Sequence, residues 1–122
     1  MTDTAPAARH ARLTLDQIAT AAAGIVAEAR AAGLVMPFSL HAHDYGPPHA
    51  TLYIAERQDR DIWEALQEWA WHYGSEVAAG PGITPDTVYA VVEFRRDGIK
   101  YEISAVIHDS DADNQPAPLA AA

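Results

Sequence analysis

The sequence of 122 residues contains no cysteine and few basic residues. Without cysteine there is no disulfide framework, no thiolate-ligated zinc and no thiol nucleophile. Eight Lys+Arg residues stand against 17 Asp+Glu residues, a formal net charge of −9 with histidine neutral. Because contact with nucleic-acid phosphates or with an anionic membrane surface needs basic side chains, this balance argues against both kinds of partner.

Catalytic and membrane-spanning signatures are also missing. The chain has neither the G-x-S-x-G of a nucleophile elbow nor the glycine-rich loops of nucleotide sites. The longest apolar stretch near the N-terminus, residues 18–29, is interrupted by Thr20, Gly24 and Glu28 and is too short and polar to span a bilayer. These absences favour a cytoplasmic protein without catalytic activity and without a cofactor.

The length suits a single domain. Residues 1–12 have no apolar run, and residues 109–122 are rich in Asp, Ala and Pro with little that a core could bury. Such compositions are typical of disorder. The sequence therefore predicts one α+β domain over residues 13–108, between a disordered N-terminal segment and a disordered acidic tail.

A helix opens the predicted domain. Thr14 and Gln17 have the spacing of a capping box, which marks a helix N-terminus. Apolar residues then recur at helical spacing over residues 15–29, and Gly33 is the expected residue just after the helix.

A β-hairpin follows this helix. Apolar and polar residues alternate over residues 38–43 and again over residues 51–54, as they do in half-buried strands. Placing both apolar sets on one face sets Leu40 opposite Ile54. That register leaves Gly46, Pro47 and Pro48 as a three-residue loop.

A second helix and a second hairpin complete the domain. Apolar spacing predicts the helix from Asp59 or Asp61 to Tyr73, followed by a loop over residues 75–86 that can hold a brief edge strand around Val77. Beyond it, an Asp-Gly turn joins two alternating strands. The register of this hairpin pairs Phe94 with Tyr101 and Val92 with Ile103.

The element order α-β-β-α-β-β predicts an α+β two-layer sandwich, with both helices on one face of a four-stranded, mostly antiparallel sheet. The other sheet face would carry Tyr53, Tyr89, Val91 and Val106, more apolar surface than a solvated face needs. We therefore predict a small acidic, non-catalytic module that binds a protein partner or a second copy of itself through this face.

Trp71 lies on the polar side of the second helix, near Glu64 and Glu68. The sequence favours a Trp71 covered by the loop at 75–86. The alternative is an exposed indole that anchors a protein interface.

A nucleic-acid mimic that inhibits a DNA- or RNA-binding protein is an alternative function. The acidic residues near the start of the second helix are closely spaced and could imitate phosphates. They are Glu56, Asp59, Asp61, Glu64 and Glu68. Binding of this kind would weaken steeply with salt.

A histidine-ligated zinc protein is a further alternative. His41 and His43 lie two residues apart on one strand face, with origins roughly 7 Å apart, and His49 is diagonal to His43 in the predicted register. Three imidazoles with an open fourth position form a ligand set that zinc accepts.

One carboxylate pair also needs an interpretation. Glu93 and Glu102 are directly opposed in the second hairpin, and such a pair can divide into an acid and a base. Their diagonal neighbours Lys100 and Arg95 favour cross-strand salt bridges instead. The sequence thus offers no catalytic residue.

Overall fold

A computed structural model describes residues 12–55 and 61–108, which form an α+β fold with two helices and a five-stranded sheet. In chain order the elements are α1 (Leu15–Ala31), β1 (Ser39–His43), β2 (His49–Tyr53), α2 (Ile62–His72), β3 (Val77–Pro81), β4 (Thr87–Arg96) and β5 (Ile99–His108). The predictions made for residues 1–11, for residues 109–122 and for a helix start at Asp59 lie outside the described residues. Within them, no helix is long and apolar enough to cross a membrane.

The sheet is mixed, with the strand order β1-β2-β5-β4-β3. The α+β class is as expected, but the predicted four-stranded, mostly antiparallel sheet is wrong. The brief strand allowed around Val77 is a full member of the sheet and pairs antiparallel with β4. The strands β3 and β5 are each antiparallel to β4, and β5 runs the same way as β2, so β2 and β5 pair in parallel.

Local capping fixes both ends of α1. Thr14 Oγ1 accepts a hydrogen bond from the Gln17 amide at 3.2 Å, and Gln17 Oε1 accepts one from the Thr14 amide at 2.8 Å. The predicted capping box is therefore confirmed. Gly33 has a φ of 80°, the left-handed conformation that ends many helices. The buried residues of α1 are Ile18, Ala22, Ile25 and Ala29.

The helix α2 begins after Asp61, whose side chain accepts a hydrogen bond from the Trp63 amide at 2.9 Å. Trp69 is fully buried, and its Nε1 donates to the Val35 carbonyl at 2.9 Å. This bond satisfies the only polar atom that the indole brings into the core. The buried residues of α2 are Ile62, Trp63, Ala65, Leu66, Trp69 and Ala70.

One hydrophobic core joins the two helices to a single face of the sheet. The strand residues that it contains alternate along the chain, as a half-buried sheet requires. They are Ala50 and Leu52 of β2, Ala90, Val92 and Phe94 of β4, and Ile99, Tyr101, Ile103, Ala105 and Ile107 of β5. The opposite sheet face is left to the alternate residues of the same strands.

The hairpin of β4 and β5 has the predicted register. Phe94 lies opposite Tyr101 and Val92 opposite Ile103. Asp97 and Gly98 have φ values of 54° and 80°, and two successive positive values are what a type I′ turn needs.

The hairpin of β1 and β2 has a different register from the predicted one. Leu40 lies opposite Leu52 rather than Ile54, and the loop covers residues 44–48. The Ile54 amide donates instead to the Ser104 carbonyl of β5 at 2.9 Å, so the end of β2 pairs with β5. Arg12 also holds the longer loop, because its guanidinium donates to the carbonyls of Asp44 and Gly46 at 3.0 and 2.8 Å.

A polar contact on the helix side joins α1, α2 and β4. Arg96 Nη1 of β4 pairs with Glu28 Oε2 of α1 at 2.6 Å, and Tyr73 at the end of α2 donates to Glu28 Oε1 at 3.2 Å. The Tyr73 ring stacks on Phe94 at a centroid distance of 4.2 Å. Burial, with the Glu28 charge, raises the pKa of Tyr73 to about 12. The hydrogen bond from Arg96 lowers the pKa of Glu28.

Candidate functional site

The sheet face opposite the helices, called the open face below, consists of alternate strand residues. They are the odd-numbered residues of β1, β2 and β4 and the even-numbered residues of β3 and β5. The change of register in the first hairpin moves β1 by two residues along β2, so no side chain changes face. Each residue predicted for this face therefore lies on it.

An aromatic patch occupies one part of the open face. It consists of Tyr53, Tyr89, Val91 and Val106, with Ser104 at its centre. Tyr53 and Val91 are the neighbours of Ser104 on the two adjoining strands, and Tyr89 lies opposite Val106. The structure thus brings together the four residues that the sequence predicted for this surface.

Ser104 is the residue of this patch that sequence reasoning missed. Although it belongs to the open face, its exposed fraction is 0%. Its Oγ and the Tyr89 hydroxyl form a hydrogen bond of 2.9 Å, which draws the tyrosine across the strand. The predicted register of the second hairpin already put Ser104 diagonal to Tyr89, so this contact could have been found from the sequence.

A charged group lies beside the aromatic patch. Glu93 and Glu102 are directly opposed, as predicted, and Lys100 Nζ lies 3.7 Å from Glu93 and 3.5 Å from Glu102. Thr51 Oγ1 donates to Glu102 Oε1 at 3.3 Å. One lysine shared by two carboxylates is a cross-strand salt-bridge group. This arrangement supports a structural role for Glu93 and Glu102 rather than acid–base chemistry.

The open face is electrically balanced, in contrast to the whole chain. Its acidic residues are Glu93 and Glu102, and its Lys and Arg residues are Lys100 and Arg95. Two negative and two positive charges cancel on this face, whereas the chain as a whole carries −9. The surplus negative charge therefore lies elsewhere on the molecule.

Three histidines cluster at the β1 end of the open face, but their rings do not converge. His43 and His49 are directly opposed, and their rings stack at a centroid distance of 4.4 Å with an interplanar angle of 20°. The Nδ1 of His49 donates to the Pro47 carbonyl at 3.0 Å. His41 instead packs edge-on against Tyr53 at 5.3 Å.

This geometry does not favour the predicted zinc site. Stacked imidazoles direct their in-plane lone pairs along nearly parallel planes, whereas a tetrahedral ion needs lone pairs that meet at one point. Over residues 12–55 and 61–108, no group of three or more His, Cys, Asp or Glu side chains is placed to hold a metal ion. The predicted ligands His41, His43 and His49 form an aromatic cluster with Tyr45 and Tyr53.

Trp71 is the most exposed of the three tryptophans. Its exposed fraction is 85%, whereas Trp63 and Trp69 on the same helix are buried. The expectation that the loop at 75–86 covers Trp71 is therefore wrong. Within this segment, Val77–Pro81 pair as β3 along the far edge of β4 and do not cover Trp71.

A groove lies beside Trp71, between the end of α1 and the outer face of α2. Its volume is about 510 Å³. Its lining, called the Trp71 groove below, consists of Ala32, Gly33, Leu34, Glu64, Gln67, Glu68, Trp71 and His72. Glu64 and Glu68, predicted as partner-binding residues, thus share a surface with Trp71 and not with the aromatic patch.

The acidic set predicted to mimic nucleic acid is only partly described. Glu56 and Asp59 lie outside the described residues. Asp61 caps α2 through its hydrogen bond to the Trp63 amide, which gives its carboxylate a structural task. Glu64 and Glu68 lie next to an indole, and the mimic stays a prediction.

The structure therefore separates the predicted partner-binding residues into two surfaces. The aromatic patch lies on the open face, and the Trp71 groove lies on the outer side of α2. Both are shallow and neither contains a catalytic arrangement that the geometry supports. Comparisons with protein-family models, with curated proteins and with solved structures found no match to this chain.

Proposed function

We propose that this chain is a small cytoplasmic, non-catalytic protein-binding module that associates with a second copy of itself through the aromatic patch. The observation that carries the proposal is an uncovered, charge-balanced sheet face with apolar residues in a strongly acidic chain. An antiparallel sheet can expose one face to water, but the residues on such a face are normally polar.

Apolar exposure supports an interface at the patch. Val106 has 47% of its surface exposed and Tyr89 has 36%, and they lie opposite each other on neighbouring strands. Two sheets can pack face to face at about 10 Å, with side chains of both faces interdigitated. Burial of these side chains would remove apolar area from water, which is the main driving force for association.

The charge balance of the open face makes this face the place where a second copy meets least repulsion. Two molecules that each carry −9 repel one another, and the repulsion is smallest where the local charges cancel. The open face meets this condition, and it presents both signs. In a two-fold arrangement Lys100 of one copy can approach Glu93 of the other, since the interface uses the same surface twice.

The patch is also held in place before any partner arrives. The hydrogen bond between Tyr89 and Ser104 fixes the tyrosine ring against the sheet. A side chain that is already ordered loses less conformational entropy on association. The Tyr89 ring is therefore a rigid part of the aromatic patch.

The test compares oligomeric state in two matched double variants. Tyr89→Glu with Val106→Glu puts two charges into the patch, whereas Ala23→Glu with Ala27→Glu adds the same charge on the exposed side of α1. Sedimentation equilibrium should show dimers for the wild-type chain and for the α1 variant. The patch variant should be monomeric at the same concentrations, with unchanged far-ultraviolet circular dichroism.

Two results would contradict the proposal. A wild-type chain that stays monomeric at concentrations of about 1 mM has no association of the strength that a specific interface gives. Equal loss of dimer in both variants would show that added charge, and not the patch, sets the oligomeric state.

A further inference from the structure

Trp71 presents an indole to solvent on a helix that buries its other two tryptophans. Trp63 and Trp69 are 1% and 0% exposed, whereas Trp71 is 85% exposed. The same helix therefore places two indoles in the core and one outside it. Exposed tryptophan next to a concave surface is characteristic of binding hot spots, because the ring offers a large rigid contact area.

The lining of the groove beside this indole combines small residues with carboxylates. The small residues Ala32 and Gly33, just after α1, line part of it. The residues Glu64 and Glu68 of α2 also line it, one helical turn apart, and Trp71 follows on the same side of that helix. The groove volume of about 510 Å³ falls within the range of ordinary ligand sites.

Carboxylates next to an exposed aromatic ring select a cation. A guanidinium group stacks flat on an indole and can donate two hydrogen bonds to one carboxylate, whereas an ammonium group is a strongly hydrated point charge. An arginine side chain can therefore satisfy the indole and a carboxylate at once. A neutral side chain would gain no charge attraction from Glu64 and Glu68, and an anionic one would be repelled by them.

We propose that the Trp71 groove binds an arginine side chain of a basic segment in a partner protein. The guanidinium lies over the Trp71 ring and pairs with Glu64 or Glu68, and its methylene chain packs against Ala32 and Gly33. The charge of −9 on the whole chain would attract a basic segment over distance, while the groove supplies the preference for arginine. This surface is separate from the aromatic patch, so the proposal does not rest on self-association.

Fluorescence offers a direct readout, because Trp71 is the one tryptophan that solvent reaches. The probe is a blocked Gly-Arg-Gly-Arg peptide, compared with the same peptide that carries lysine instead of arginine. The arginine peptide should shift the tryptophan emission and bind about threefold tighter than the lysine peptide. Isothermal calorimetry provides the affinity for variants that lack the indole.

Two variants separate the groove from the general charge of the chain. Glu64→Gln with Glu68→Gln should weaken the arginine peptide about fivefold. Asp44→Asn with Glu76→Gln removes the same charge at exposed positions outside the groove and should change affinity less than about twofold. Trp71→Ala should abolish the preference for arginine over lysine while circular dichroism stays unchanged.

Three outcomes would overturn the assignment. The first is equal weakening by the two charge variants, which would mean that peptide binding follows net charge alone. The second is a Trp71→Ala chain that keeps the wild-type preference for arginine. The third is no detectable binding of the arginine peptide at about 10 mM, a concentration at which even a weak specific contact would be detected. The Tyr89→Glu and Val106→Glu chain should bind the peptide like the wild type, so a failure of self-association leaves this test intact.

Discussion

At the scale of single residues, local chemistry sets the caps and turns of this fold. The capping box of Thr14 and Gln17 and the positive φ of Gly33 depend only on neighbours in sequence. Trp71 is the opposite case, since its exposure depends on where the chain goes after the helix. The pattern correctly placed its indole on the polar side of α2 but could not say what covers that side.

The Asp97–Gly98 turn allows a test at this scale. Asp97 has a φ of 54°, a conformation that a residue with a Cβ adopts at a cost, although Asp and Asn tolerate it best. Asp97→Ala should lower the free energy of unfolding by about 1 kcal/mol, whereas Asp97→Asn should change it by less than about 0.5 kcal/mol. Urea unfolding followed by circular dichroism gives both values. Equal stability of the two variants would show that the turn is not under this constraint.

At the scale of elements, alternation predicted which face a side chain takes better than it predicted which strand lies beside it. The residues of the open face were predicted correctly although the register of the first hairpin was wrong. A shift of two residues keeps every side chain on the same face of the sheet. The strand β3 was underestimated since its sequence, Val-Ala-Ala-Gly-Pro, has little intrinsic preference for extended structure. Its pairing with the long strand β4 decides its conformation.

The register of β1 and β2 can be tested by engineered disulfides, because the chain has no cysteine of its own. His43 and His49 are directly opposed, which gives a Cα separation within disulfide range. His43→Cys with His49→Cys should therefore oxidise rapidly in air. His43→Cys with Thr51→Cys, opposed in the register predicted from sequence, should stay reduced under the same conditions. The rate of free-thiol loss distinguishes them, and the reverse order would contradict the register of the structure.

At the scale of the whole molecule, long-range pairing joins the two halves. The parallel contact of β2 with β5 connects the first helix and hairpin to the rest, and residues about fifty positions apart lie side by side in it. Periodicity reports on neighbours along the chain and carries no signal for such a contact. The candidate surfaces depend on it, since Tyr53 of β2 reaches the aromatic patch only because β2 lies next to β5.

On the helix side of the sheet, the contact of Glu28, Tyr73 and Arg96 joins α1, α2 and β4. This contact predicts how the stability of the fold depends on pH. Burial raises the pKa of Tyr73 to about 12 from an ordinary value of 10.0, so the folded state favours the neutral phenol. Its contribution is complete below pH 10 and is lost as the pH rises towards about 12. After allowance for solvent screening, we expect the free energy of unfolding to fall by about 1–2 kcal/mol over this interval.

Tyr73→Phe provides the matched test of this alkaline loss. The variant keeps the ring that stacks on Phe94 but has no hydroxyl to ionise or to donate to Glu28. It should be less stable than the wild type at pH 8 by about 1 kcal/mol, the usual contribution of one hydrogen bond. Between pH 10 and 12 its stability should fall less steeply, although not to zero slope, because burial also raises the pKa of Tyr101. Urea unfolding at several pH values measures both slopes, and parallel curves for the two chains would show that Tyr73 ionises without opposing the fold.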